Sequence, residues 1–218
     1  MERCQMTRQE ATAFVEKAFE TLQARGWLAE GLKPALAMEE EIDSFEKKRG
    51  VRLSPLYRAL LLSHHIGQLM TVMYHLERVS PLWMELDGAV SMEALEEQIE
   101  ILQEMQDYCE LPDGCFQNLI PIGDFGAGWG PMCLDLRRPE ESVDPNNEET
   151  WAVVWFDHEE FDWDRRYLGE DGLLHGRPAA PDLKTLLEWC LCGSLETEFE
   201  EKYGIRPTYE WYQNGAEY

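Results

Sequence analysis

Apolar positions near the start of the chain recur with a helical period. Ala11, Phe14, Val15, Ala18, Phe19 and Leu22 share one face, at the i, i+3, i+4, i+7 spacing of an amphipathic helix, and Arg25-Gly26 supplies its stop. Gly31 to Pro34 reads as a linker. A second helix carries Ile42, Phe45 and Glu46 and ends at Gly50. Leu53-Ser54-Pro55 opens the next one, with Ser54 as N-cap and Pro55 at the first helical position, where its missing N–H is no loss. That helix is predicted from Leu56 to His65, ending before Gly67. Leu69 to Leu86 fits strand and helix equally, because its Met, Tyr, Val and Leu serve either. Ser91 then caps a strongly patterned helix, with Leu95, Ile99 and Leu102 inward and Glu93, Glu96, Glu97, Glu100 and Glu104 outward. No Lys supports that face through i, i+4 pairs, so neighbouring carboxylates repel slightly.

After Pro112-Asp113-Gly114 the pattern turns to alternation. Asn118 to Ile122, Pro131 to Leu136 and Thr150 to Phe156 are three short strands, divided by Gly123-Asp124-Phe125-Gly126-Ala127-Gly128 and by the polar run Arg138 to Glu149. The second and third read as a hairpin with a long loop. Leu183, Leu186, Leu187 and Leu191 mark a closing helix that ends at Gly193, followed by a last helix from Glu196 to Lys202 and an aromatic tail with Tyr209, Trp211, Tyr212 and Tyr218. Helices, then a β meander, then helices is the order of an α+β fold, not of βαβ alternation.

Charge changes this picture. The 218 residues carry a net charge of −24, and the excess is local: between Val79 and Asp164 there are 22 acidic residues and only two basic ones, Arg137 and Arg138. Such a field repels nucleic-acid backbone and anionic lipid and draws cationic partners inward; the alternative is acidity that serves only to keep the protein soluble, with the acids spread evenly over its surface. The sequence therefore predicts no direct nucleic-acid or membrane-surface binding. Hydrophobic residues at 44% and eight Trp supply a sizeable core. No apolar run reaches the roughly 18 to 20 residues of a membrane helix, and Met1 to Glu10 carries charges where a secretion signal would be apolar, so a cytoplasmic protein is expected. The six cysteines show no CxxC spacing, and Cys190-x-Cys192 lies in an apolar helix-like stretch, where both read as small hydrophobes. His64-His65 point roughly 100° apart on a helix and form no i, i+4 metal pair. No metal and no cofactor are expected.

Candidate chemistry is sparse. Gly126-Ala127-Gly128-Trp129-Gly130 is glycine-rich, but a phosphate cradle leads into a helix, and this loop leads into the strand-like Pro131 to Leu136; a tight connection needing positive φ is the better reading. Carboxylates are so numerous that a catalytic pair could be drawn anywhere. No Gly-x-Ser-x-Gly elbow is present. The dense constellation is Asp157-His158-Glu159-Glu160-Phe161-Asp162-Trp163-Asp164. His158 among so many carboxylates is poorly placed as a general base at neutral pH. The stripe suits a solvated loop or a recognition edge, its acids pairing with Lys or Arg while Phe161 and Trp163 anchor. The expected partner contacts are Asp124, Trp129, Asp157, His158, Glu159, Glu160, Phe161, Asp162, Trp163 and Asp164. A hydrolase remains a rival, requiring a deep pocket with His158 or His175 and two carboxylates within reach.

Three segments resemble the SUKH superfamily, the Smi/Knr-like domains. Glu41 to Tyr57 is similar to the family's opening, a helix with an internal Glu and a Leu-Pro entry to the next helix. Leu119-Ile120-Pro121-Ile122-Gly123 through Met132-Cys133-Leu134-Asp135-Leu136 looks like its central hairpin, and Val153 to Glu159 like its next strand, with Pro181 to Leu191 as its closing helix. The resemblance implies an antiparallel meander packed against several helices over residues 36–193. Residues 1–35 would be a helical extension, Ser91 to Cys109 a helical insert, and 194–218 a final helix and aromatic tail. It also implies a protein-binding domain without enzymatic activity or cofactor. In bacteria such domains are mostly immunity proteins against contact-dependent or polymorphic toxins, often basic nucleases; the alternative is a regulatory or scaffold module with an endogenous partner. Oligomeric state is left open.

Overall fold

The computed structural model describes residues 6–26, 32–65, 68–75, 78–86, 91–125, 130–137, 151–160, 162–208 and 210–211. Helix α1 (Arg8–Ala24) opens with a capping box, in which Glu10 N donates to Thr7 Oγ1 and Thr7 N donates to the Glu10 carboxylate. Its buried face is the predicted one, Ala11, Val15, Ala18, Phe19 and Leu22. Helix α2 (Glu39–Arg49) ends on Gly50 in the left-handed region. Helix α3 (Pro55–Ser63) starts where predicted, Tyr57 N donating to Ser54 Oγ at 3.1 Å. It stops two residues early, however. His64–His65 leave the helix as a short strand, β2, paired antiparallel with β1 (Lys33–Pro34), so the predicted linker is a strand too. The physical reason lies outside the local sequence: the His64 ring packs on Phe19 of α1, with centroids 5.3 Å apart, while its backbone is extended.

The ambiguous stretch resolves into a hairpin of β3 (Gln68–His75) and β4 (Arg78–Glu85), in register from Gln68↔Glu85 to His75↔Arg78. After the predicted helix α4 (Met92–Tyr108) come β5 (Leu119–Phe125), β6 (Pro131–Asp135), β7 (Ala152–Trp155) and β8 (Arg177–Ala180). These six strands form one antiparallel sheet in chain order from β3 to β8, so the fold is α+β with a meander. Pairing of β4 with β5 is confined to Met84↔Phe125 and Glu85↔Asp124, and Pro81 lies clear of that ladder. Strand β8 has no period-2 pattern in its Arg-Pro-Ala-Ala sequence; it forms as an outer strand, where proline is tolerated. Helix α5 (Trp163–Arg166) is a single turn before β8, and α6 (Leu183–Cys190) and α7 (Ser194–Tyr203) close the chain.

The centre of the sheet is covered on both faces, as the pleat dictates. Met132, Leu134, Val153 and Trp155 face the main core with α1, α3 and α6. Their neighbours Cys133, Val154 and Phe156 point the other way, into a second cluster with Leu102 of α4, Trp163, Tyr167 and Leu174. The N-terminal helix is thus part of the main core. Arg25, its C-cap, ties it to the far end of the chain: Nη1 donates to the carbonyls of Cys190 and Leu191 at 3.0 and 3.1 Å, and Nη2 to Glu196 Oε1 at 2.9 Å. The guanidinium so satisfies carbonyls that α6 leaves open at its end. Gly193 makes this possible, since it holds φ +73 and a Cβ there would sit 2.8 Å from Arg25 Cζ.

Candidate functional site: an acidic surface

Helix α4 presents its predicted face. Ala94 N donates to Ser91 Oγ at 3.0 Å, Leu95, Ile99 and Leu102 are buried, and Glu93, Glu97, Glu100, Glu104 and Asp107 are exposed. Among the described residues none of these five has an ion-pair partner. Glu96 does, and it is tertiary: Lys48 Nζ of α2 lies 2.8 Å from Glu96 Oε1. Three acids of α2 are held internally, because buried Arg58 binds Glu39, Asp43 (2.7 Å) and Glu46 (3.0 Å), while Glu46 Oε1 accepts from Leu53 N.

The 157–164 segment lies against the end of α4. The Cys109 thiol is pushed up by burial and by the nearby Asp164 and Asp162 carboxylates, and it also hydrogen-bonds to the Trp163 backbone. The two acidic stretches are therefore neighbours, although separated by three strands in the chain. Asp124 joins them at the sheet's edge. It pairs with Pro131, whose carbonyl accepts from Phe156 N at 3.1 Å, and Asp157 and His158 follow directly. Gly130 is the hinge of this edge, with φ +141 and a missing Cβ that would fall 1.9 Å from Phe156 O.

Within the segment the structure corrects the expected division of labour. Trp163 is fully buried: its ring packs on Phe156 (5.1 Å) and Tyr167 (5.5 Å), and Nε1 donates to Asp157 O at 3.0 Å. It anchors the segment to the core and offers a partner nothing. Trp129 and Phe161 lie outside the described residues. Glu160 is a structural carboxylate, taking Arg177 Nη2 (2.6 Å), Arg166 Nη1 (3.2 Å) and the Tyr167 hydroxyl (2.6 Å). Burial, with that hydrogen bond, pushes the Tyr167 phenol up to about 12. Asp162 accepts from Arg166 Nε at 2.6 Å, which holds its carboxyl below the usual range. Asp157 N donates to the Tyr167 hydroxyl, and its carboxylate lies 4.0 Å from Arg177. His158, Glu159 and Asp164 are exposed. Sequence reasoning missed Arg166, Tyr167 and Arg177 as the partners that neutralise much of the stripe. Arg166 was readable, four residues after Asp162; Arg177 arrives only through the pairing of β8 with β7.

Residues resembling catalytic acids have structural duties. Asp135 is buried and accepts from Asn118 Nδ2 and Arg137 N, both at 3.0 Å, and from the Arg137 guanidinium. His175 shares a 2.9 Å contact with Asp171, both at the surface. Among the described residues no group of three or more His, Cys, Asp or Glu could hold a metal ion, and no helix is long and apolar enough to cross a membrane.

A six-stranded meander packed on both faces, with a row of exposed carboxylates along α4, defines an α+β domain. The chain belongs to the SMI1 / KNR4 family (SUKH-1), whose model matches residues 36–189. That membership is compatible with an immunity-type protein-interaction domain. No curated protein and no solved structure matches the chain.

Proposed function

We propose that this chain is an immunity-type protein that neutralises a basic toxin, without enzymatic activity of its own, by docking its acidic surface on that toxin. The observation that carries the reading is the outer face of α4: Glu93, Glu97, Glu100, Glu104 and Asp107 lie exposed on one helix, with no cation paired to them among the described residues. Carboxylates left side by side in this way weaken the helix slightly, and a cationic partner relieves that repulsion. Glu159 and Asp164 extend the same surface beyond the end of α4. The charges set the encounter rate and its salt dependence; affinity comes from buried contacts.

The test begins by capturing partners from source-cell lysate at low and at moderate salt. Association rates of the captured protein are then measured with the wild type and with a Glu93→Gln, Glu97→Gln, Glu100→Gln, Glu104→Gln variant. A basic partner whose k_on falls about tenfold or more in the variant, with a flatter salt dependence, is the expected result. An acidic or neutral partner, or an unchanged k_on, overturns the reading.

A further inference from the structure

The outer strands β3 and β8 approach one another beside α6, and a cleft of about 550 Å³ opens there. Trp155 lies buried at its floor, with Ala152 and Pro178 beside it; half-buried Tyr74 and Trp189 wall it, their rings 4.9 Å apart. Arg177 is the one charged side chain lining it among the described residues, with its guanidinium 5.2 Å from the Trp155 ring. Glu198 makes one lip acidic, and Arg177 stands at the other. The Tyr74 hydroxyl donates to the Glu198 carboxylate at 2.9 and 3.0 Å, and Arg177 on the opposite side is held by Glu160 (2.6 Å) and faces Asp157 (4.0 Å).

Apolar walls of this size suit an inserted side chain, and the lips select what carries it. A second copy of a chain with net charge −24 brings more carboxylates toward Glu198, and nucleic acid or anionic lipid is repelled in the same way. We propose that the cleft receives one aromatic or long aliphatic side chain of a protein partner, flanked by a Lys or Arg that meets Glu198 at the lip beside Tyr74. This rests on the reading of a basic partner and supplies the apolar anchor that buried Trp163 does not. Arg177 then serves two sites: one face of its guanidinium stacks toward the cleft while its donors order the acidic segment.

The probes are three capped tripeptides, Lys-Phe-Lys, Lys-Ala-Lys and Glu-Phe-Glu, titrated into the ¹⁵N-labelled full chain. With Lys-Phe-Lys, the Trp189 indole and Ala152 amide signals shift, with affinity at least about tenfold tighter than for Lys-Ala-Lys, the worth of burying a phenyl ring. Those shifts are lost in Ala152→Phe, which fills the cleft, and in Tyr74→Ala, which removes a wall; either variant that folds suffices. If both lysine peptides shift α4 signals alone, the cleft proposal is overturned and the basic-partner reading stands. If Glu-Phe-Glu binds the cleft as tightly as Lys-Phe-Lys, the role of the lips is overturned and the basic-partner reading is weakened with it. Nuclear Overhauser contacts from Tyr212 or Tyr218 to Trp189 in the free chain would make the chain's own C-terminal segment the occupant, which also overturns the proposal.

Discussion

Replacing Trp163 by Ala separates an anchor of the fold from a contact for a partner. The side chain is fully buried in the second core cluster, between Phe156 and Tyr167, and donates one hydrogen bond to Asp157 O. Truncating a buried Trp costs about 3–5 kcal/mol through lost transfer energy and the cavity left behind. For a chain of this length each kcal/mol moves Tm by about 2–4 °C, so a loss near 4 kcal/mol means a fall of about 8–16 °C. Trp163→Phe keeps most of the packing and gives up mainly the hydrogen bond, for roughly 1 kcal/mol. Glu159→Gln, on the exposed side of the same segment, should stay within about 0.5 kcal/mol of the wild type. The assay is urea and thermal unfolding followed by far-ultraviolet circular dichroism, a probe indifferent to the removal of a fluorophore. A loss below about 1 kcal/mol for Trp163→Ala would mean that the ring does not hold the segment down, and the argument that it is unavailable to a partner would fail with it.

Other outcomes follow from the same geometry. Arg25→Ala should cost about 3–5 kcal/mol in chemical denaturation, because it strands the buried Glu196 carboxylate without its cation. Burial raises the Glu196 carboxyl above its ordinary value despite Arg25; its contribution to stability is therefore greatest below the unfolded glutamate range and falls as pH rises through the raised folded value. Glu196→Gln leaves Arg25 without its anion and should cost stability, but that cost should shrink as pH rises above the unfolded glutamate range; a cost that grows refutes the assignment. Glu110 holds φ +52 just past the end of α4, so Glu110→Gly should stabilise by about 0.5–1 kcal/mol in urea denaturation. Gly130→Ala should destabilise by more than about 2 kcal/mol, since the new Cβ meets Phe156 O and the backbone must move.

Much of this architecture can be read in the sequence, and the failures have a common cause. Helices α1, α2, α3 and α4 declare themselves through an amphipathic face and local caps such as Ser54 and Ser91, and the central strands through alternation. What escapes is set by contacts between distant segments. His64–His65 become a strand because Phe19 and the β1 pairing hold them extended; β8 exists because β7 offers it a ladder. The candidate site fails in the same way. Eight consecutive residues look like a free acidic stripe, yet Glu160 and Asp162 are occupied by Arg166 and Arg177, and Trp163 points inward. The face of α4 was legible because helical period alone places its glutamates.

The bonds of Arg25 to Cys190 and Leu191 join residues about 165 positions apart. Helix α1 can settle on α3 early in synthesis, but Arg25 meets these two carbonyls only once α6 has left the ribosome. At roughly 5–20 residues per second that is a delay of about ten seconds or more. The clasp therefore cannot form before all six strands have been made, and it links the first helix to the sixth. A nascent chain interrupted before residue 190 contains the sequence of every strand and of the acidic helix, yet it lacks the contact that joins its first helix to its sixth.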